Sequence, residues 1–161
     1  MLQNLPMRIR EAGSADVDAI VEIGHRTWPA TYAFAGPDYI ADGLARWWSV
    51  AAIEHSLRDT TTLVAEDDDK LLAVGNIDLR GPVPIIWKLY VVPESQGAGA
   101  GAALMEALLA RAPGRPVRLE YAAGNARAAR FYAARGFTEL RREPGEHPGW
   151  PDLVWMEHRP S

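Results

Sequence analysis

The feature with the clearest chemical meaning is a glycine-rich turn between an apolar strand and a helix. The strand ends Leu89-Tyr90-Val91-Val92, the turn reads Pro93-Glu94-Ser95-Gln96-Gly97-Ala98-Gly99-Ala100-Gly101-Ala102, and a helical pattern follows. Small residues let a backbone approach a ligand closely. The unpaired N–H groups at the start of a helix, together with its dipole, attract anions. The turn therefore predicts a binding site for an anion such as a pyrophosphate.

Three other interpretations compete for this turn. Glycines also allow a helix to pack closely, without any ligand. A P-loop is excluded because no Lys-Ser/Thr pair follows the glycines. A dinucleotide site fits formally, since Gly97, Gly99 and Ala102 match G-x-G-x-x-A and Glu120 ends a later strand. That motif usually belongs to the first strand and helix of a domain, however, and four predicted strands precede this turn.

A second motif begins at Asn125 and runs to Phe137. Asn125 is a favourable N-cap for a helix, and Ala128 and Phe131 lie three residues apart on one face of it. Tyr132 is turned from Phe131 by about 100° around the helix, so it is able to point across the domain while Phe131 packs. The alternative is an ordinary amphipathic helix with a half-buried tyrosine.

The two motifs together resemble those of the GNAT acetyltransferases. The residues concerned are Gln96-x-x-Gly99-x-Gly101 and Asn125-x-x-Ala128-x-x-Phe131-Tyr132-x-x-x-Gly136-Phe137. Their order, spacing and strand–helix context agree with the family, over essentially the whole chain and most strongly from Leu71 to Phe137. The resemblance implies an α/β GNAT fold, with a mixed central sheet of about seven strands flanked by about four helices. It also implies acetyl-CoA as cosubstrate, no metal, and direct transfer to an amine without an acyl-enzyme.

The resemblance also implies roles for individual residues. The backbone of the strand would pair with the pantetheine arm, the turn would hold the pyrophosphate, and Asn125 would lie near the thiol. Tyr132 would be the general acid, and the N–H of Val91 would stabilise the oxyanion. The implied cofactor-binding residues are Leu89, Tyr90, Val91, Gln96, Gly97, Ala98, Gly99, Ala100, Gly101, Ala102 and Asn125.

The general base is less clearly indicated. Many family members carry an acidic residue on the strand before the glycine turn, but here Ile85-Ile86-Trp87-Lys88-Leu89 contains none. Glu120 stands where members that acetylate ribosomal-protein N-termini carry a glutamate base, and we take it as the catalytic candidate. Its alternative role is that of a solvated residue at a strand end. Asp78, on the preceding strand, is a second candidate at the acceptor side.

The resemblance implies that the acceptor-side wall is formed by an aromatic stretch that includes Trp28, Tyr32 and Trp48. Aromatic faces attract cationic amines, so Trp28 and Tyr32 are predicted to contact the substrate, and Trp150 to close the same pocket. Packing in the core is the competing explanation for these side chains. The four histidines show no metal-ligand spacing.

The elements that must position these residues follow from periodicity and turn signals. Met7–Glu11 is predicted as a strand and Ser14 as the cap of the following helix. Residues 28–58 are predicted to form short helices, and a helix after the glycine turn to end near Ala112. The remaining predicted strands are 60–66, 71–79, 84–92, 117–121, 137–142 and 153–158, with a helix over 126–135.

Composition limits the function further. The chain has 161 residues and a net charge of −4, which predicts one domain over 1–161 and disfavours nucleic acid as a partner. It has no cysteine, no signal peptide and no apolar run of membrane-spanning length. We therefore expect a cytoplasmic protein with no membrane partner. Residues 1–6 are predicted to be flexible, and some family members form homodimers through their late strands.

The leading hypothesis is an N-acetyltransferase that acts on the primary amine of a small molecule. Acetylation of a protein N-terminus is an alternative, motivated by the position of Glu120. A non-catalytic acyl-CoA sensor would bind the cofactor without turnover. A dinucleotide-dependent oxidoreductase would bind NADH instead of CoA.

Overall fold

The apolar and alternating patterns fold into seven strands and five α-helices within residues 7–160, the part of the chain that the computed structural model describes. The predicted flexible segment 1–6 lies outside the described residues. The strands are β1 (Arg8–Glu11), β2 (Thr61–Asp67), β3 (Lys70–Asp78), β4 (Ile85–Val91), β5 (Val117–Ala122), β6 (Phe137–Glu143) and β7 (Leu153–His158). The helices are α1 (Val17–Thr31), α2 (Pro37–Trp47), α3 (Val50–Asp59), α4 (Ala100–Leu109) and α5 (Ala126–Ala134).

The predicted mixed sheet of seven strands is confirmed, with the order β1-β2-β3-β4-β5-β7-β6. Five helices flank it instead of about four, because the aromatic stretch 28–58 completes α1 and forms both α2 and α3. Pro37 at the start of α2 and Ser49, which caps α3 by accepting the N–H of Ala52 at 3.1 Å, divide this stretch into separate helices.

The sheet opens between β4 and β5, the one parallel pair of strands among the described residues. Their register extends over only two pairs, Ile85 with Arg118 and Ile86 with Leu119. On the other side of β4, Ile77 pairs with Ile86 and Asn76 with Lys88, so Trp87 is an extra, bulged residue. Because a bulge bends and twists its strand, β4 turns away from β5 beyond Ile86. The result is a wedge between two central strands.

Helices cover both faces of the sheet and divide the core into two clusters. On one face, Leu104, Met105 and Leu108 of α4 pack against the sheet, and Phe131 and Tyr132 of α5 join this cluster. On the other face, residues of α1, α2 and α3 surround the fully buried Trp48. The wedge is therefore accessible from two sides that are formed by different helices.

The predicted cap at Ser14 is wrong. The first turn is a short 3₁₀ turn over Ser14–Asp16, and α1 begins at Val17. Asp16 instead accepts the N–H of Gly13 at 2.8 Å and forms an ion pair with Arg10 at 2.9 Å. The Asp16 carboxylate stabilises the turn before α1 better than a serine hydroxyl would, because it accepts a backbone N–H and also forms an ion pair with an arginine of β1.

Two helical glycines allow the tryptophans of the second cluster to approach. A Cβ at Gly24 would lie 2.0 Å from the ring of Trp48, and a Cβ at Gly43 would lie 2.1 Å from the ring of Trp28. Such distances are far inside van der Waals contact, so neither position accepts a side chain without displacing an indole. The two glycines therefore hold α1, α2 and the aromatic cluster together.

We expect Gly24→Ala to lower the free energy of unfolding by about 2 kcal/mol, because overpacking of a core typically costs about 1–3 kcal/mol. The better helix propensity of alanine, worth about 1 kcal/mol, offsets only part of this cost. Urea unfolding measures the change. Gly13→Ala is the control, since a Cβ there meets nothing within 4 Å, and equal stability of the two variants would contradict the packing argument.

Candidate functional site

The wedge continues into a cavity of about 390 Å³, which we call the wedge groove. Its walls come from β4, the glycine-rich turn, the end of β5 and the inner side of α5. The predicted cofactor-binding residues that line it are Leu89, Tyr90, Val91, Gln96, Gly97, Gly99, Gly101, Ala102 and Asn125. The structure thus brings together residues that lie up to 36 positions apart in the chain.

Two of the predicted residues do not line the groove. The N–H of Ala98 donates to the carbonyl of Ser95 at 3.2 Å, so it is occupied within the turn itself. Ala100 is buried at the start of α4, with 1% of its surface exposed. Its side chain packs in the core, and only its backbone remains a candidate for ligand contact.

The glycine turn presents free backbone donors. The N–H groups of Gly97, Gly99, Ala100, Gly101 and Ala102 donate to no backbone oxygen within residues 7–160. Gly97 and Gly99 have φ values of +85° and +90°, which L side chains rarely adopt. Consecutive free donors at the first turn of α4 are an arrangement that suits an anion, and anion binding at this turn stays a prediction.

A cation lies beside these donors. Arg127 lines the wedge groove and donates through Nη1 to Oε1 of Gln96, whose Nε2 donates in turn to the carbonyl of Val91 at 3.1 Å. A positive side chain in the first turn of a helix interacts unfavourably with the helix dipole. A bound anion would offset this cost, so the position of Arg127 is favourable when an anion is present. Arg127 is not among the residues that the sequence motifs predict, although its place two residues after a helix cap is an available signal.

Asn125 fixes the start of α5. Its Oδ1 accepts the N–H of Ala128 at 3.1 Å, which confirms the predicted N-cap. The cap sets the direction of the helix, and thereby the direction of Tyr132 two turns later. Asn125 itself lines the groove beside Tyr32.

Tyr132 lies in the groove within an aromatic setting. Its ring contacts Phe131, Phe137 and Tyr121, with centroids 5.6, 5.8 and 6.1 Å away. Within residues 7–160 the hydroxyl makes no hydrogen bond to another side chain or to the backbone, and Tyr132 is one of the residues that line the groove. Burial, and secondarily Tyr32, raises the pKa of Tyr132 well above its usual value. The phenol therefore holds its proton at neutral pH and is able to act as a donor.

A second cavity of about 440 Å³, which we call the aromatic cavity, lies toward α1, α2 and α3. Trp28, Tyr39 and Trp150 line it, with Trp28 stacked on Tyr39 at 5.9 Å and Tyr39 edge-on to Trp150 at 5.2 Å. Trp28 and Tyr32 are only 7% and 6% exposed, so they are core residues as well as cavity walls. The two cavities meet at shared lining residues: Tyr32, Trp87, Lys88, Tyr90, Glu120 and Tyr121.

Glu120 stands where the two cavities meet. Burial raises the pKa of its carboxyl to about 7, with smaller contributions from Glu143 and Glu146 that outweigh the opposing effect of Arg141. No cation within residues 7–160 forms an ion pair with it. A carboxylate with a pKa near 7 is matched to general base catalysis at neutral pH.

Asp78 lines the aromatic cavity, but its oxygens are already engaged. Oδ1 and Oδ2 accept from Arg80 at 3.0 and 2.9 Å, and Trp87 Nε1 donates to Oδ2 at 3.2 Å. Arg80, more than Trp87, lowers the pKa of Asp78 to about 2. A carboxylate that holds protons so weakly is a poor base at neutral pH, so the geometry favours Glu120 over Asp78 for proton removal.

Lys88 also lines both cavities. The sequence analysis assigned it no role and noted only that its strand contains no acidic residue. The side chain is 9% exposed. Its Nζ lies 5.2 Å from the ring centroid of Trp48, and burial lowers its pKa to about 8. A lone lysine inside an apolar central strand was the available signal.

The described residues contain no helix of the length and hydropathy that a bilayer crossing requires. Residues 7–160 likewise hold no group of three or more His, Cys, Asp or Glu side chains arranged to bind a metal ion.

Comparisons with known proteins agree with this geometry. Residues 17–137 match the model of the acetyltransferase (GNAT) family. The PaiA N-acetyltransferase of Thermoplasma acidophilum, solved in complex with coenzyme A, has a TM-score of 0.81 at 21% identity, over 96% of this chain and 99% of that one. The ribosomal-protein-S18-alanine N-acetyltransferase of Escherichia coli gives 0.76 at 22%, over 96% and 94%. At these identities the structures establish likeness of fold, and no curated protein sequence matches significantly.

Proposed function

The chain belongs to the GNAT family of acetyltransferases and is an acyltransferase, and on this premise we propose that it transfers acetyl from acetyl-CoA directly to the primary amine of a small molecule. The observation that supports this proposal is the meeting of two cavities at Glu120, with Tyr132 in the wedge groove. One residue is matched to accept a proton near neutral pH, and the other retains one.

The wedge groove fits acetyl-CoA, which supplies an activated acetyl thioester. The free N–H groups of Gly97 and of residues 99–102, together with the guanidinium of Arg127, suit the pyrophosphate. The edge of β4 beyond Ile86 has no strand partner on the β5 side, so it is available to an extended arm. A Cβ at Gly101 would lie 3.4 Å from both Val91 and Phe131, which shows how narrow the groove is there.

The chemistry removes two protons from the nitrogen and delivers one to the sulfur. A free alkyl amine has a pKa of about 10, so it enters as an ammonium, and Glu120 would remove one proton before the nitrogen attacks. As the new C–N bond forms and the C–S bond breaks, the Tyr132 hydroxyl would give its proton to the leaving sulfur, and the nitrogen would lose its second proton to solvent. The proton on Glu120 would also return to solvent and Tyr132 would take one proton back, so each turnover yields the amide, the free CoA thiol and one released proton.

A small acceptor is favoured by the dimensions of the aromatic cavity. Its volume of about 440 Å³ lies within the range of small-molecule sites. The test is release of free CoA thiol with a panel of small amines and of peptides with free N-termini. We expect turnover with small amines and weak competition from peptides, and the reverse result would overturn this choice.

Acetylation of a protein N-terminus is the second candidate, favoured by the position of Glu120 at the end of β5. A structural relative is the enzyme for ribosomal protein S18, and peptide acceptors would then win the competition. A non-catalytic sensor would bind acetyl-CoA with no turnover on either class of acceptor. The dinucleotide interpretation of the glycine turn is superseded by the family match.

The location and assembly of the protein are part of the proposal. We place it in the cytoplasm, where acetyl-CoA is available, and as a homodimer through β6 and β7. Sedimentation velocity at micromolar concentration would show a single species of twice the 17.7 kDa chain mass if the dimer forms, and a single monomeric species would exclude it.

The cofactor site is tested by Gly101→Leu. A leucine at this point would project between Val91 and Phe131 into the groove, so we expect the Kd of acetyl-CoA to rise by at least about tenfold, equivalent to about 1.4 kcal/mol. Calorimetric titration measures it. The matched control is Ala110→Leu at the exposed C-cap of the same helix, and an equal Kd in both variants would contradict the placement.

A further inference from the structure

Most charged side chains that line the aromatic cavity are paired with one another. Arg46 contacts Asp42 at 3.3 Å and Glu146 at 2.8 Å. Arg80 contacts Asp78 at 2.9 Å and Asp59 at 3.4 Å. Two lining charges remain without an ion pair to any residue in 7–160, and these are Glu120 and Lys88.

Lys88 is buried without a counter-charge. It is 9% exposed, and its recorded partner within the described chain is the ring of Trp48, 5.2 Å from Nζ. A cation–π contact compensates only part of the cost of removing an ammonium from water. The lowered pKa of Lys88 agrees with this deficit. An anion bound in the cavity would remove it.

The neighbouring amide does not supply that charge. Asn76 faces Lys88 across the β3–β4 pair, and its Nδ2 donates to Thr60 Oγ1 at 3.1 Å. Thr60 gives its own proton to the carbonyl of Ser56 at 2.7 Å, so the amide orientation is determined. Asn76 Oδ1 is buried without a partner among the described residues, and it is a neutral atom. A bound molecule with a negative group would supply the charge that the protein itself does not.

Lys88 and Glu120 lie on the same face of the sheet. Lys88 precedes Tyr90 by two residues and Glu120 precedes Ala122 by two, and both Tyr90 and Ala122 belong to the Trp48 cluster. Residues two apart on a strand share a face. Because β4 and β5 diverge, the two charges form no ion pair with each other, and a molecule in the cavity meets a base and a cation at separate points.

We propose that the acceptor carries a carboxylate as well as its amine, and that Lys88 binds this carboxylate while Glu120 receives the amine. The acceptor class is therefore the amino acids and related amino carboxylates. This inference rests on the proposed function, because it specifies the acceptor of the same site. It also disfavours a peptide N-terminus, where the α-carboxylate is absent.

Matched acceptors test the proposal in turnover. Glycine, β-alanine and 4-aminobutyrate are compared with ethylamine, propylamine and butylamine, which replace the carboxylate by methyl, and the common α-amino acids are compared with their decarboxylated amines. We expect at least one carboxylate of these pairs to be favoured in kcat/KM by at least about tenfold, the scale of a hydrogen bond to a charged group. No preference for any carboxylate would overturn the proposal.

Substitution of the lysine then assigns the preference. Lys88→Met has similar length without charge and should reduce the carboxylate-to-amine ratio of kcat/KM to about one, since the charge is the source of the discrimination. Lys70→Met, at the exposed first residue of β3, is the matched control and should keep the wild-type ratio. An unchanged ratio in Lys88→Met would overturn the assignment.

A measurement on the wild-type protein removes any dependence on folding of the variant. The chain has two lysines, Lys70 and Lys88, so lysine labelled with ¹³C at Cε gives two signals. With CoA present, the favoured amino acid should raise the titration midpoint of Lys88 and leave that of Lys70 unchanged. If the titration midpoint of Lys88 rises but no amine is acetylated, the proposed function is refuted, while the assignment of Lys88 as a carboxylate-binding residue stands. If amines are acetylated but no amino acid raises the titration midpoint of Lys88, the carboxylate site at Lys88 is refuted.

Discussion

Tyr132→Phe should lower kcat for acetyl transfer by about 10² to 10⁴-fold, the range that a positioned acid or base contributes. In the proposed mechanism the phenol is the proton source; Tyr132 lines the wedge groove, and its raised pKa keeps it protonated throughout the neutral range. The affinity for acetyl-CoA should stay within about twofold, because the predicted pyrophosphate contacts come from backbone N–H groups on another helix. Thiol release and calorimetric titration measure the two quantities separately.

The Tyr132 hydroxyl has no hydrogen bond to lose within the described chain, so the Tyr132→Phe variant should fold normally. Tyr121→Phe is the matched control, since Tyr121 lies beside Tyr132 and also lines the groove, with a centroid distance of 6.1 Å. Its turnover should resemble that of the wild type. A fully active Tyr132→Phe enzyme would remove the tyrosine from the mechanism and leave the proton to solvent.

Glu120→Gln should lower kcat/KM at pH 8 by about 10² to 10⁴-fold and abolish its pH dependence on the acid side. In the wild type, Glu120 must be ionised to accept the proton, and its pKa is raised to about 7. The kcat/KM of the wild type should therefore fall about tenfold per pH unit below pH 7 and level off above it. A profile of Glu120→Gln that keeps the same acid limb would assign that limb to another group.

The same carboxyl links function to stability with a defined sign. Its folded pKa of about 7 exceeds the ordinary value of 4.5, so between these values the folded state binds more protons than the unfolded state. Its favourable contribution is complete below pH 4.5 and is lost as the pH rises through 7. Glu120→Gln should accordingly be at least as stable as the wild type at pH 8, which separates lost catalysis from misfolding. Glu139→Gln, at an exposed carboxylate paired with Arg142, is the control for charge removal.

Local patterns predicted the elements of this fold well. The acidic turn after β2 is a tight connection in which Asp68 and Asp69 both have positive φ, as short hairpins require. Asn125 and the glycine turn are short-range signals too, since a cap or a helix start depends on a few adjacent residues. Part of the wedge groove is lined by these two segments, and their role in cofactor binding was implied by the resemblance to the GNAT family.

Features that depend on distant partners were not predictable in this way. The ion pair of Asp16 needs Arg10 on another element. The low basicity of Asp78 needs the orientation of Arg80, two residues later, as well as Trp87 on the next strand. The divergence of β4 from β5 arises from the bulge at Trp87, which leaves no local mark in the sequence. The isolation of Lys88 is likewise a property of the packed cavity, because it depends on which other charges have already found partners.

The two cavities have few residues in common, and this has a consequence for how such an enzyme diversifies. Helices α2 and α3 line the aromatic cavity but not the wedge groove, while the glycine turn and α5 line only the wedge groove. Substitutions in the first set are therefore free to alter which molecules are modified while the acyl donor stays the same. A lineage that exchanges its acceptor wall in this manner acquires new metabolic roles without having to rebuild its chemistry.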